Sequence, residues 1–130
     1  KLYPNYEKNI STVLSASAKD KSIILKSFDQ AVLDNLKKLA PHIPQLKVSY
    51  SVNPLGSIKG QIKYHQIHRH FLSHSYIRRA QKNGYKLIVW DVHAEHLMKK
   101  YLSYGVDGIE TDYPDKLLKI IAEINQQLAE

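Results

Sequence analysis

Four short apolar runs in this sequence end in polar residues: Ser27-Phe28-Asp29, Ser51-Val52-Asn53, Asp91-Val92-His93 and Thr111-Asp112. If the runs are parallel strands, these tails gather at one end of a sheet, where α/β folds place ligands and reacting groups. The same residue types are also preferred helix caps. Histidine offers a second chemistry. His65, His68, His70 and His74 lie within ten residues, and His93 and His96 form an H-x-x-H. Neutral imidazole binds zinc or carries protons. However, no Cys, Asp or Glu joins either group at a zinc spacing, so the first four read as a polar loop near a site. There are no cysteines, which excludes disulfides, thiolate metal sites and cysteine nucleophiles.

The elements that would position these tails alternate. Asn5–Ala18 carries Tyr6, Ile10, Val13 and Leu14 at helical spacing. Lys19-Asp20-Lys21 is a turn and Ser22–Ser27 a strand. Asp29 caps a helix that buries Val32, Leu33, Leu36, Leu39 and Ala40 and stops at Pro41 and Pro44. Lys47–Val52 is a second strand. Asn53–Tyr64, with Pro54, Gly56 and Gly60, reads as a long loop, and His65–Leu72 has no clear period. Ser73 or Ser75 caps a helix to Asn83 with Tyr76, Ile77 and Ala80 inward. Lys86–Val92 is an apolar, β-branched strand. The helix Ala94–Tyr104 turns Leu97, Met98, Tyr101 and Leu102 inward and ends at Gly105. Val106–Thr111 is the fourth strand. Pro114 opens a last helix, to Leu128, that buries Leu117, Leu118, Ile121, Ile124 and Leu128.

Strict alternation of strands and helices predicts an α/β fold with a parallel sheet, in one domain over residues 1–130. Two architectures fit: part of a (β/α)8 barrel, or a small doubly wound domain with helices on both sheet faces. The formal net charge is +7. The pairs Lys37-Lys38, Arg78-Arg79 and Lys99-Lys100 fall on the polar sides of helices and read first as solvated surface. They are also suited to phosphate-bearing partners such as lipid head groups, whereas nucleic acid is the less favoured partner. No apolar run reaches the ~20 residues of a membrane helix. No signal peptide is visible and the chain begins at Lys1. The reading is of a cut, soluble piece, with both cytoplasmic and extracytoplasmic placement open.

Val89-Trp90-Asp91-Val92-His93, followed by a helix and by Gly105 through Pro114 (GVDGIETDYP), resembles the C-terminal end of the glycerophosphodiester phosphodiesterase family. Ile23 through Asp29 (IILKSFD), with Leu33, Leu36 and Pro41, resembles that family's fifth strand and its helix. Tyr3-Pro4-Asn5-Tyr6-Glu7 resembles the segment after its fourth strand. The resemblance implies the second half of a (β/α)8 barrel, here with four main strands. It implies a parent enzyme of lipid metabolism that hydrolyses glycerophosphodiesters to glycerol 3-phosphate and an alcohol with Ca2+ or Mg2+.

By that resemblance Trp90 lines the mouth of the substrate pocket, and Ser27 and Phe28 lie near its floor. The family's His-Arg-Gly, its metal-holding Glu and Asp, its second His and its Glu-x-Lys have no match here; Lys1 stands too close to Tyr3-Pro4 for the last. The chain is therefore expected to hold no catalytic residue, to bind no metal and to be inactive alone. Its partner would be a missing N-terminal half or a second copy of itself. The rival function is a non-catalytic module that self-associates or binds anionic surfaces. Asp91, His93 and Glu110 depart from the family pattern, Glu110 at a position where an apolar residue is commoner.

Overall fold

In the computed structural model the structure describes residues 5–16, 23–50 and 63–129. In chain order the elements are α1 (Tyr6–Ala16), β1 (Leu25–Ser27), α2 (Gln30–Leu39), β2 (Gln45–Ser49), β3 (Tyr64–His68), α3 (His74–Lys82), β4 (Lys86–Trp90), α4 (Glu95–Ser103), β5 (Gly108–Ile109) and α5 (Pro114–Ala129). A 3-10 turn at Arg69–Phe71 joins β3 to α3.

The five strands form one parallel sheet in the order β1-β2-β3-β4-β5. Sequence reasoning gives four strands; the addition is β3. Its tract YHQIH carries little apolar signal, and Tyr64 starts a strand instead of closing a loop. β2 begins two residues earlier than expected, at Gln45, and Ser51-Val52-Asn53 and the loop over residues 53–62 lie outside the described residues. So do Lys19-Asp20-Lys21, Ser22 and the Tyr3-Pro4 part of the opening motif. β5 is shorter than expected, although Glu110 continues its ladder: its amide donates to Val89 O at 2.8 Å and its carbonyl accepts from Val92 N at 3.2 Å.

The strand order overturns the doubly wound alternative. A doubly wound sheet reverses its strand order partway, whereas here every crossover steps in the same direction. With right-handed crossovers, that puts all helices on one face. The other face is concave. β1 and β5 are opposite edges of the sheet, yet Lys26 Nζ lies 2.7 Å from Glu110 Oε2. In a flat sheet four strand spacings would separate them by about 19 Å, farther than the two side chains reach together. The sheet is curled as in a barrel.

The core fills the gap between the sheet's outer face and α3, α4 and α5. Ile67, Ile77, Leu87, Val89, Val92 and Met98 are fully buried there. A smaller cluster under α1 holds Leu14, Ala40 and Ile43. Caps follow the sequence: Asp29 Oδ1 accepts from Ala31 N at 2.8 Å, and Ser73 Oγ accepts from Tyr76 N at 3.2 Å. Five residues expected inside are outside, Ile10 at 36% exposed among them. Leu39 is 45% exposed, Val13 67%, Leu118 65% and Leu128 81%. Ile120, at 2%, is what α5 buries instead. Helical period located one side of each helix, but among the described residues no element covers the outer flanks of α1 and α5.

Buried polar residues of the middle strands make hydrogen bonds, although His65 Nε2 is buried without a partner among the described residues. Gln45 Nε2 donates to Leu33 O at 2.6 Å, and Lys47 Nζ donates to Phe28 O. His65 is fully buried, with Nδ1 3.0 Å from Tyr76 Oη. Burial, aided by the Lys47 charge, lowers the His65 pKa from 6.5 to about 4. The unfolded chain therefore binds this proton first. Stability is complete above pH 6.5 and falls between pH 6.5 and 4, by about 3 kcal/mol from this group. Urea midpoints measured across that window should fall with pH, and His65→Leu should flatten the slope.

Candidate active-site wall

β1, β2, β3 and β4 each end in, or are followed by, a ring-bearing residue at the C-terminal rim of the concave face. Phe28 follows β1, Tyr50 follows β2, His68 ends β3 and Trp90 ends β4. Their rings touch. Phe28 and Trp90 meet edge to face at 6.0 Å, His68 and Trp90 edge to face at 4.8 Å, and Tyr50 lies 5.0 Å from His68 and 6.0 Å from Trp90. Contacts of this kind add roughly 0.5–1.5 kcal/mol each beyond their area, which fixes the rim. Burial, then the nearby His70 and Arg69, lowers the His68 pKa.

Beneath the rim lies a cavity of about 190 Å³. Ser27, Phe28 and Trp90 line it together, as do Lys26, Gln66 and Glu110. The structure thus brings the three sequence-predicted site residues to one place. Ser27 Oγ accepts from Asp29 N at 3.0 Å, which shapes the turn that carries Phe28. The buried Lys47 holds the same turn through Phe28 O. Trp90 Nε1 is buried with no hydrogen-bond partner among the described residues.

The second layer was missed by sequence reasoning. Glu110 Oε2 accepts from both Lys26 Nζ and Gln66 Nε2. Burial pushes the Glu110 carboxyl up, but these two bonds and the Lys26 charge outweigh it, and its pKa lies below the usual value. Lys26 and Glu110 are 84 residues apart, so no local pattern joins them. The usable signal was the lone carboxylate in an apolar strand position, which demands a partner.

Asp91 and His93 answer each other. Asp112 N donates to His93 Nδ1 at 3.3 Å, which leaves the ring proton on Nε2. Nε2 meets Asp91, with the Asp112 carboxylate at 3.6 Å. The two departures from the family pattern are thus a compensated pair that ties the end of β4 to the turn after β5. The remaining histidines scatter: His65 faces the helices, His74 stacks on Tyr104 at 5.1 Å, and His96 is exposed on α4. Among the described residues no three His, Asp or Glu side chains form a group that could hold a metal ion. No helix among them is long and apolar enough to cross a membrane.

A model of the glycerophosphoryl diester phosphodiesterase family matches residues 2–116. A glycerophosphodiester phosphodiesterase from Caldanaerobacter subterraneus subsp. tengcongensis is 27% identical over 125 residues, covering 92% of this chain and 51% of the relative. A phosphodiesterase from Oleispira antarctica, solved with the product sn-glycerol-3-phosphate, superposes with a TM-score of 0.76 at 20% identity, covering 91% of this chain and 51% of that one. A glycerophosphodiester phosphodiesterase from Parabacteroides distasonis superposes at 0.74 with 19% identity, covering 96% and 55%. The chain spans about half the length of the relatives it matches.

Proposed function

This chain belongs to the glycerophosphoryl diester phosphodiesterase family, and we propose that it is the C-terminal portion of such an enzyme, the part that walls the substrate pocket. The observation that carries the reading is the meeting of Ser27, Phe28 and Trp90 around one cavity on the concave face of a curled parallel sheet. The parent would hydrolyse a glycerophosphodiester to glycerol 3-phosphate and an alcohol. Its general acid and base, and the residues that hold a divalent cation, would come from outside this chain, whose sequence has no match to the family's motifs for them. Trp90 and Phe28 would press on the carbon skeleton of the substrate and exclude water, and the basic surface would draw an anionic substrate in.

The partner is the rest of the barrel. Among the described residues β1 and β5 each pair on one side only, and Val13 on α1 and Leu118 and Leu128 on α5 are exposed. Open edges and apolar flanks are liabilities that a neighbouring βα unit removes. The same features favour a second reading, in which two copies cover each other and the chain acts without catalysis. Sedimentation equilibrium separates them. A mass of two chains supports self-pairing; a single chain that gains a partner only with the N-terminal half supports the enzyme. The function itself is tested by assaying glycerol 3-phosphate release after an N-terminal half is supplied.

A further inference from the structure

Charge is divided unevenly along this chain. Residues 35–90 hold ten Lys or Arg and no Asp or Glu, while the other 74 residues hold the remaining nine and all twelve acids. The fold gathers part of this tract on its convex side. On α3, Ser75, Arg78, Arg79 and Lys82 follow the i, i+3, i+4, i+7 spacing of one helix face and are exposed. Tyr76, Ile77 and Ala80 turn the opposite face into the core. The helix carries no acidic residue. Lys26, Lys86 and Lys99 each pair with a carboxylate, whereas Arg78, Arg79 and Lys82 pair with none among the described residues. A fourth cation borders the stripe from α4: Tyr104 stacks on His74 at 5.1 Å, and Lys100 Nζ lies 5.8 Å from the centre of the same ring.

We propose that this stripe docks the protein on an anionic lipid surface. A solvated helix face usually mixes both signs of charge; here one sign stands alone and uncompensated. The helices form the convex side of a curled sheet, so the outer stripe of α3 and its neighbour Lys100 can meet a plane together. No large apolar side chain is exposed on α3. The contact is therefore electrostatic and stays at the head groups, without insertion. Nucleic acid fits less well. Single strands are held in basic grooves lined with stacking rings, and duplexes by an element that enters a groove. α3 is packed along the sheet beside α4 and shows no exposed Phe, Tyr or Trp. The inference rests on where the charges lie and stands apart from the phosphodiesterase reading.

The 130-residue chain is pelleted with vesicles of equal parts phosphatidylglycerol and phosphatidylcholine, and with vesicles of phosphatidylcholine alone. Binding to the first and not to the second is expected. It should vanish between about 0.1 and 1 M NaCl, as the screening length falls from about 10 to 3 Å. Each basic residue at such a surface contributes about fivefold, so Arg78→Gln with Lys82→Gln should weaken binding about thirtyfold. Lys116→Gln with Lys119→Gln removes the same charge from α5, beside Asp115 and Glu123, and should weaken it less than about threefold. All four side chains are exposed, so far-UV circular dichroism of both variants should match that of the parent chain. No binding to the anionic vesicles, equal binding to both kinds, or equal loss in the two double variants overturns the proposal. So does tighter binding to single-stranded or duplex DNA than to the anionic vesicles at the same salt. The release of glycerol 3-phosphate by a completed enzyme bears on the phosphodiesterase reading alone.

Discussion

The 130-residue chain alone is expected to leave glycerophosphodiesters uncleaved, with or without Ca2+ or Mg2+. The effect expected is large. A positioned general acid or base contributes about 10²–10⁴-fold each, and a bound cation adds several kcal/mol of transition-state stabilisation. Without either, the chain should fall at least about 10⁵-fold below a complete enzyme. A coupled assay for glycerol 3-phosphate, run at micromolar protein for a day, has the range to see this. Turnover that depends on added cation and is lost in a mutant of His68 or His93 would place the chemistry in this chain and refute the division of labour proposed.

Ile77→Ala is the substitution expected to cost most stability. Ile77 is fully buried in the cluster between α3 and β4. Removing three carbons there loses transfer energy and leaves a cavity that the sheet, pinned by its ladders, cannot close. Core changes of this size cost about 2–5 kcal/mol, a large share of the ~5–15 kcal/mol of an ordinary domain. Equilibrium urea unfolding, read by Trp90 emission, measures it. Leu118→Ala is the contrast. At 65% exposed it should cost within about 0.5 kcal/mol in the chain alone. It should cost well over 1 kcal/mol in an assembled barrel, where a neighbouring helix covers α5. Equal cost in both settings would mean that α5 stays uncovered.

The helices were legible because their apolar residues recur at helical spacing and their caps are local: Asp29 bonds Ala31 and Ser73 bonds Tyr76. β1 and β4 were legible for a similar reason, as apolar runs ending in small or polar residues. β3 was not. Three of its five residues are His or Gln, and the partners of the two buried ones, Tyr76 for His65 Nδ1 and Glu110 for Gln66, come from distant elements. The buried polar face of β2 is hidden in the same way, since Gln45 and Lys47 bond backbone carbonyls of α2 and of the turn before it. Ser27, Phe28 and Trp90 could be singled out from their motifs. Lys26 and Gln66 could not, because their roles exist only once the sheet curls and brings β1 opposite β5.

The most direct measurement is reconstitution. This chain is co-refolded with the N-terminal half of the Caldanaerobacter relative, whose full length it covers by 51%, and the mixture is assayed for glycerol 3-phosphate release. Cation-dependent hydrolysis that appears only in the mixture, and drops when Trp90 is replaced by Ala, is the expected result. A stable one-to-one complex that shows no hydrolysis of any glycerophosphodiester would contradict the assignment of this chain as a phosphodiesterase pocket wall.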